Sequence, residues 1–478
     1  MKLLYSNNKT REIDQLAAEA LGIDSFALMQ KAGAAVHQYL DTHQRLLVVT
    51  GPGNNGGDGF VVAELARQQG QKVKVLALQP VSKLTGDAAK AAAAYRGTVI
   101  DEWPDENFDC VVDAIFGTGL TREVEGSYAS IIGLINNNEY KTLAIDIPSG
   151  LNGTTGQIKG CAVRASQTVS ILGRNTGLYT LDGPACCGEI LFADLGVPAV
   201  ALQSVVAEAQ LMNREKLQEL PAARANNTHK GSFGHVLTVG GQAGMLGAVL
   251  LAGRAVLKSG AGLTTLITDQ EHQALVPLYA PELMVSGFSG TSDDEPLSAG
   301  KPADVVVMGM GMGQSQWSKQ LFKLALKTPS PLVMDADGLN LLARSPVTPE
   351  HLRVITPHPR EAARLLDVSV AEVQQNRWLA VRQLARRYHC VAVLKGSGTL
   401  VSDGEQTWCC PFGNANLATA GSGDVLAGMV AGIMAQGFSP LSAAHLAVLW
   451  HALVGTHSRY GFTMTASDLL DDLHEIIH

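Results

Sequence analysis

Short apolar runs separated by amphipathic stretches fill the first half of the chain, at residues 45–50, 73–78, 110–115, 142–147, 168–172 and 189–193. Runs of this length, set between helical periodicities, predict buried strands of a parallel sheet with helices on both faces. The alternation lapses after Gly196-Val197-Pro198, and residues 214–230 are polar and carry Pro221, Asn226 and Asn227. A second series opens at 235–239 and continues at 304–308, 331–334, 353–355 and 391–394, interleaved with helical patterns at 248–259 and 425–434. The pattern predicts two α/β domains without an internal repeat, divided near 210–225 and assigned as 1–212 and 213–478.

Between Asp424 and Arg459 there is no Asp, Glu, Lys or Arg. Gly437 and Pro440 cut this stretch into segments shorter than the ~20 residues that span a bilayer, so it predicts buried core helices and no membrane contact. At 478 residues, with 46% hydrophobic, 17% charged and 50 glycines, the chain is a folded protein rich in tight turns. Its net charge of −8, without basic blocks, excludes a nucleic-acid surface. The cysteines at 110, 161, 186, 187, 390, 409 and 410 show no C-x-x-C spacing, and residues 1–8 turn polar before a signal-peptide core of ~7–15 residues could form. Both features predict a reducing, cytoplasmic setting.

Candidate chemistry sits where the strands should end. After run 45–50 comes Gly51-Pro52-Gly53-Asn54-Asn55-Gly56-Gly57-Asp58-Gly59-Phe60, followed by a helical pattern at 61–69. Glycines let a backbone approach phosphate, and a helix start supplies unpaired N–H groups. Gly51, Gly53 and Gly56 satisfy G-x-G-x-x-G, but the acidic residue a nicotinamide dehydrogenase needs ~20 residues later is replaced by Leu76-Ala77-Leu78-Gln79-Pro80. A turn serving only helix packing is the alternative. Three further loops, Asp113-Ala114-Ile115-Phe116-Gly117-Thr118-Gly119, Asp146-Ile147-Pro148-Ser149-Gly150 and Asn175-Thr176-Gly177, should converge on the same edge of the sheet.

Together, the segments 54–59, 112–119 and 146–151 resemble the NAD(P)H-hydrate epimerase family, whose domain is a Rossmann-like three-layer sandwich. The resemblance implies that Asn54, Asn55, Gly56, Gly57 and Asp58, with Gly117, Thr118, Gly119, Leu120, Thr121, Arg122 and Glu123, hold the hydrated dinucleotide. It also implies that Asp146 faces the nicotinamide as the catalytic group and that Asn55, Asp113 and Ser149 surround a potassium ion. An oxygen-only donor set suits a hard cation.

The second series has its own loops: Gly240-Gly241-Gln242-Ala243-Gly244, Met308-Gly309-Met310-Gly311-Met312-Gly313, Met334-Asp335-Ala336-Asp337-Gly338 and Thr356-Pro357-His358-Pro359-Arg360-Glu361. The sharpest is residues 414–428, where Thr419-Ala420-Gly421-Ser422-Gly423-Asp424 runs into an apolar helix. Backbone N–H groups at 421–423 can receive anionic oxygens, and Asp424 can accept a hydroxyl proton, which is the geometry of phosphoryl transfer. No G-x-x-x-x-G-K-[ST] loop occurs. The alternative is that Asp424 only caps its helix.

This half resembles the ribokinase-like superfamily, and within it the NAD(P)H-hydrate dehydratases. The resemblance implies that Lys395, Gly396, Ser397, Gly398, Thr399 and Gly423 contact ADP or ATP. Ala248, Gly311, His358 and the catalytic Asp424 would contact the hydrate, with Gly309 and Gly313 as alternatives to Gly311. Glu361 would orient magnesium through water. Together the two resemblances imply a homo-oligomeric repair enzyme that acts on small dinucleotides with an adenine nucleotide. The competing reading is a ribokinase-type kinase for a small alcohol, fused to a non-catalytic Rossmann-like binding module.

Overall fold

The computed structural model describes residues 2–41, 44–138, 140–221, 223–290 and 303–477. The chain separates into two units, Met1–Gln210 and Leu211–His478.

The first unit is built on a seven-stranded, wholly parallel sheet in the spatial order Thr98–Ile100, Val73–Ala77, Leu46–Thr50, Cys110–Ala114, Lys141–Ile145, Gln167–Ile171, Glu189–Ala193. Successive side chains of Leu46–Thr50 divide between the two faces. Leu46 and Val48 pack with Met29, Val36, Phe60 and Ala63 from helices Ser25–His37 and Asn54–Gln68. Leu47 and Val49 pack with Ile132 and Ile135 of helix Gly126–Asn137 on the other side. Three layers result. The chain builds leftward from Leu46–Thr50 and then returns to add strands on its right, so the switch point of the topology lies between Leu46–Thr50 and Cys110–Ala114. Ligands of open α/β sheets bind outside the carboxyl ends at such a point.

The segment anticipated as a loop up to Phe60 is helical from Asn54 onward. Glycine weakens a helix through backbone entropy, but close packing requires it here. A Cβ on Gly56 would lie 2.1 Å from the Gly51 carbonyl oxygen, and one on Gly51 would lie 1.9 Å from that of Ile115.

In the second unit, seven parallel strands run in the order Met284–Phe288, Leu263–Asp269, His235–Val239, Val305–Met308, Leu332–Met334, Leu352–Ile355, Val391–Leu394. Two antiparallel strands, Leu400–Ser402 and Thr407–Cys409, extend the last edge. The switch point falls between His235–Val239 and Val305–Met308. The charge-free stretch forms helices Ser422–Ala435 and Pro440–His457, whose residues pack with helix Leu246–Lys258 and the strand valines. Gly437, at φ 92°, makes the break between them. No helix among the described residues is long and apolar enough to cross a membrane. The seven cysteines are free thiols, and all but Cys161 are buried.

Candidate functional sites

At the switch point of the first unit lies a cavity of about 810 Å³. Asn54, Asn55 and Asp58 enter it from the first turns of their helix, residues 117–122 form one wall, and Asp146 lies at the end of strand Lys141–Ile145. Asp146 has φ 64°, a left-handed conformation unusual for a residue with a Cβ. Its backbone N–H donates to the Val169 carbonyl at 2.8 Å, and its Oδ1 accepts from the Ile171 N–H at 3.4 Å. Burial pushes its carboxyl up to about 6. Asp58 is raised well above the usual carboxylate range by burial and by the charges of Asp146 and Asp14.

Asp14 is a third carboxylate of this cavity, and the sequence reading did not single it out. It stands on helix Asn7–Leu21, which also holds the 117–122 wall, because Asn7 Nδ2 donates to the Thr118 carbonyl at 2.9 Å. Desolvation of its carboxylate and the charge of Asp146 raise Asp14, against the pull of Arg11.

Asp113 and Ser149 sit behind the cavity, fully buried. Asp113 Oδ1 accepts from Ser149 Oγ at 2.5 Å and from the Ile115 N–H at 3.2 Å, while Oδ2 accepts from the Ser149 N–H at 2.8 Å. Ser149 Oγ in turn accepts from the Phe116 N–H at 2.8 Å. Asn55 is buried and its Nδ2 finds no partner, while its Oδ1 turns toward Gly117, 3.6 Å from where a Cβ there would stand. Amide, carboxylate and hydroxyl oxygens thus gather at one loop cluster, a donor set that fits a hard monovalent cation. Three expected contact residues do not line this cavity: a Cβ on Gly56 or Gly57 would meet the Gly51 carbonyl or Met29, and Glu123 lies 3.8 Å from Lys159 Nζ.

In the second unit the turns after His235–Val239 and Val305–Met308 are joined across the switch point. The Gly241 N–H donates to the Met310 carbonyl at 2.9 Å and the Gln242 N–H to that of Gly311 at 2.8 Å. Gly309, Gly311 and Gly313 all have positive φ. Of the three, Gly311 abuts Ala248, whose Cβ lies 3.0 Å from the position a Cβ on Gly311 would take, whereas Gly309 packs on the Asp335 carbonyl.

Asp424 is the third residue of helix Ser422–Ala435, whose N-cap Gly421 has φ 87°. Burial and the charges of Asp335 and Asp337 push its carboxyl up to about 7, against Lys395. The turn is fixed from behind by His451, whose Nε2 donates to the Ser422 carbonyl at 3.0 Å and lies 3.2 Å from Ser422 Oγ. Burial brings the His451 imidazole down to about 4, so it is neutral at physiological pH. Lys395 Nζ donates to Asp335 Oδ1 at 2.6 Å. Although burial opposes the ammonium, Asp335, Glu361 and Asp424 together hold the Lys395 pKa above its ordinary value.

His358 and Glu361 form a reciprocal capping box on helix Pro359–Leu366. Glu361 Oε2 accepts the His358 N–H at 2.8 Å, Oε1 lies 3.3 Å from His358 Nε2, and His358 Nδ1 accepts from the Arg360 N–H at 3.1 Å. Burial raises the Glu361 carboxyl. Among the described residues, no three carboxylate, imidazole or thiolate side chains form a metal cluster. The loop bearing residues 395–399 is held from inside by Arg377, which is 2% exposed and donates through Nη2 to the carbonyls of Leu394, Lys395 and Gly398, each at 3.3 Å. Neither Arg377 nor His451 carries a sequence signal that marks it as a site residue.

Comparison with known proteins gives both units relatives. A family profile described as YjeF-related protein N-terminus matches residues 25–177, and one described as NAD(P)H-hydrate dehydratase matches 236–477. The bifunctional NAD(P)H-hydrate repair enzyme Nnr of Coxiella burnetii is 41% identical over 95% of this chain and 94% of its own. That of Escherichia coli is 37% identical over 98% and 92%. Among solved structures, a ribokinase-like superfamily protein from Enterococcus faecalis matches 56% of this chain and 95% of its own at 27% identity and TM-score 0.52. The ADP/ATP-dependent NAD(P)H-hydrate dehydratase of Bacillus subtilis, co-crystallised with ATP/Mg2+, matches 56% and 97% at 27% identity and TM-score 0.51. The first unit is Rossmann-like and the second ribokinase-like.

Proposed function

The chain belongs to the family of bifunctional NAD(P)H-hydrate repair enzymes, and from that premise we propose that residues 1–212 epimerise the R and S hydrates of NADH and NADPH while residues 213–478 dehydrate the S hydrate. The dehydration would consume ADP or ATP and give NAD(P)H, AMP or ADP, and phosphate.

The observation that carries the proposal is the setting of Asp424, a half-buried carboxyl poised near neutrality at the start of an apolar helix, beside a glycine turn and a half-buried ammonium. Hydroxide leaves carbon poorly, so the hydrate's hydroxyl must first become a better leaving group. Its oxygen attacks the terminal phosphorus of the nucleotide, its proton passes to Asp424, and the bond to the bridging oxygen breaks with the charge left on the released nucleotide. N–H groups at 421–423 stabilise the charge in flight, so catalysis is mainly positioning and electrostatics. The ring nitrogen's lone pair then expels phosphate, and loss of a proton from the neighbouring ring carbon restores the dihydronicotinamide. Lys395, Gly396, Ser397, Gly398, Thr399 and Gly423 would bind the nucleotide, and Ala248, Gly311 and His358 the hydrate.

Magnesium on the nucleotide phosphates, in line with the ATP/Mg2+ complex of the Bacillus relative, supplies charge neutralisation when bound. With its carboxyl engaged by His358, Glu361 would reach such an ion only through water.

In the first unit the hydrate is a hemiaminal whose carbon inverts when the bond to its hydroxyl opens and recloses. Asp146 would move the proton, and Asn54, Asp58 and residues 117–122 would hold the dinucleotide. Asn55, Asp113 and Ser149 would hold potassium, which supplies a fixed positive charge beside the loops. We further propose a cytoplasmic homo-oligomer that acts on small molecules alone.

The test supplies mixed epimers of both hydrates with ADP or ATP and follows recovered reduced-cofactor absorbance and phosphate. Complete consumption of both epimers is expected. A stable phosphorylated product would instead support a small-molecule kinase, and residual R hydrate would leave the first unit a binding module.

A further inference from the structure

Lys395 and Asp335 lie 60 positions apart in the chain, on different loops, yet meet as an ion pair at 2.6 Å with side-chain exposures of 18% and 1%. Both ends of the pair are anchored. The Lys395 backbone N–H donates to the Pro357 carbonyl at 2.9 Å and its carbonyl accepts from Arg377, while the Asp335 N–H donates to the Met308 carbonyl at 3.1 Å. The pair also lies against the glycine turn: a Cβ on Gly423 would stand 3.2 Å from Lys395 Nζ and 3.6 Å from Asp335 Oδ2. Contact this close leaves room for glycine and holds the ammonium at the turn where anionic oxygens would gather.

A buried ion pair is weak evidence of a stabilising role, because desolvation of both charges offsets most of their attraction. Placement at a preorganised anion site gives the pair a use that stability does not. We propose that Asp335 is a positioning residue of the dehydration reaction, holding the Lys395 ammonium against residues 421–423, where it meets the phosphoryl group as charge moves from the nucleotide to the hydrate. This rests on the phosphoryl-transfer role proposed above for the second unit. It adds that Asp335 acts only through Lys395, and that Lys395 serves the transferring group as well as the bound nucleotide.

A double-mutant cycle on the full-length chain tests this. In nucleotide-dependent dehydration, Asp335→Asn should lower kcat roughly 10–100-fold while KM for the hydrate moves less than about threefold, the pattern of an interaction made in the transition state. Asp335→Glu, which keeps the charge, should recover most of the loss. Lys395→Met should lower kcat at least as far, and Asp335→Asn combined with Lys395→Met should be no slower than Lys395→Met alone. A purely structural role would make the two losses multiply, and that outcome overturns the proposal. So does a wild-type kcat in Asp335→Asn. Should Asp335→Asn fail to fold, Asp335→Glu and Asp335→Gln decide, because they share a length and differ in charge: Asp335→Gln must be roughly 10-fold or more slower in kcat than Asp335→Glu, and equal values overturn the proposal. A wild-type chain that consumes no nucleotide would refute the phosphoryl-transfer reading itself, a result separate from an active wild type with an indifferent Asp335.

Discussion

Arg377→Met removes the guanidinium beneath the nucleotide loop and keeps an unbranched side chain in its place. Arg377 donates to three carbonyls of residues 394–398, at 3.3 Å each, and through Nη1 to Gln374 Oε1 at 3.0 Å. Burial lowers its pKa to about 10, which leaves it charged at neutral pH. Methionine supplies no donor, so the three carbonyls lose this partner. Hydrogen bonds to a charged donor are worth ~1.5–3 kcal/mol each, and the two hydrogens of Nη2, shared among three long bonds, count as about two at the low end, about 3 kcal/mol in total. The loss falls on the order of the loop, and hence on nucleotide affinity. At about 1.4 kcal/mol per decade it amounts to roughly 100-fold in Kd. Lysine keeps the charge without the planar fork and should lose roughly 10-fold. Titration calorimetry with ADP and ATP measures the affinity. Urea unfolding followed by tryptophan emission controls for global damage, since Trp317, Trp378, Trp408 and Trp450 all lie in the second unit. Nucleotide affinity within about threefold of wild type, with an unshifted unfolding midpoint, would refute the reasoning.

Other perturbations separate the two sites. Asp146→Asn should slow interconversion of the hydrates by roughly 10²–10⁴-fold and leave dehydration of the S hydrate intact, which chromatography of the epimers checks. Asp424 works as a base only when ionised. With its carboxyl near about 7, kcat for dehydration should rise with pH up to that value and level above it, and Asp424→Asn should remove this dependence along with roughly 10²–10⁴-fold of rate. Exchange of potassium for lithium should slow epimerisation in the wild type and make no further difference in Asp113→Ala, as an epimer assay in the two salts would reveal. Gly51→Ala places a methyl 1.9 Å from the Ile115 carbonyl oxygen; overpacking against backbone should cost more than about 3 kcal/mol in urea unfolding and widen the gap between the first two central strands.

What could be read along the chain, and what could not, follows from the kind of work each residue does. Parallel strands buried on both faces are written as apolar runs, which is why 46–50, 110–114, 235–239 and 391–394 stand out. Strand Leu263–Asp269 mixes threonine with leucine, and Met284–Phe288 lies at an edge and is partly exposed, so neither produces such a run. Loops that need unusual backbone are written as glycine and aspartate, and these reveal the positions of Gly311, Gly421 and Asp146. Residues that act through an ordinary helical backbone or as a helix cap have no such requirement. Asp14 reads as one more acid on a surface helix, Arg377 as one of four arginines in its helix, and Asp335 as a capping residue of Ala336–Leu342. The pair His358 and Glu361 shows the opposite difficulty. A spacing of three is what a capping box requires, and an acid that reaches a metal through water fits the same letters. The hydrogen bond from the His358 N–H at 2.8 Å shows that Glu361 holds the helix start, so any part it takes in magnesium binding must leave that bond in place. Glu361→Gln therefore separates the two roles: the amide can still accept the His358 N–H and preserve the helix, and a selective rise in the magnesium concentration needed for half-maximal dehydration is expected, whereas an unchanged requirement would leave Glu361 with the capping role alone.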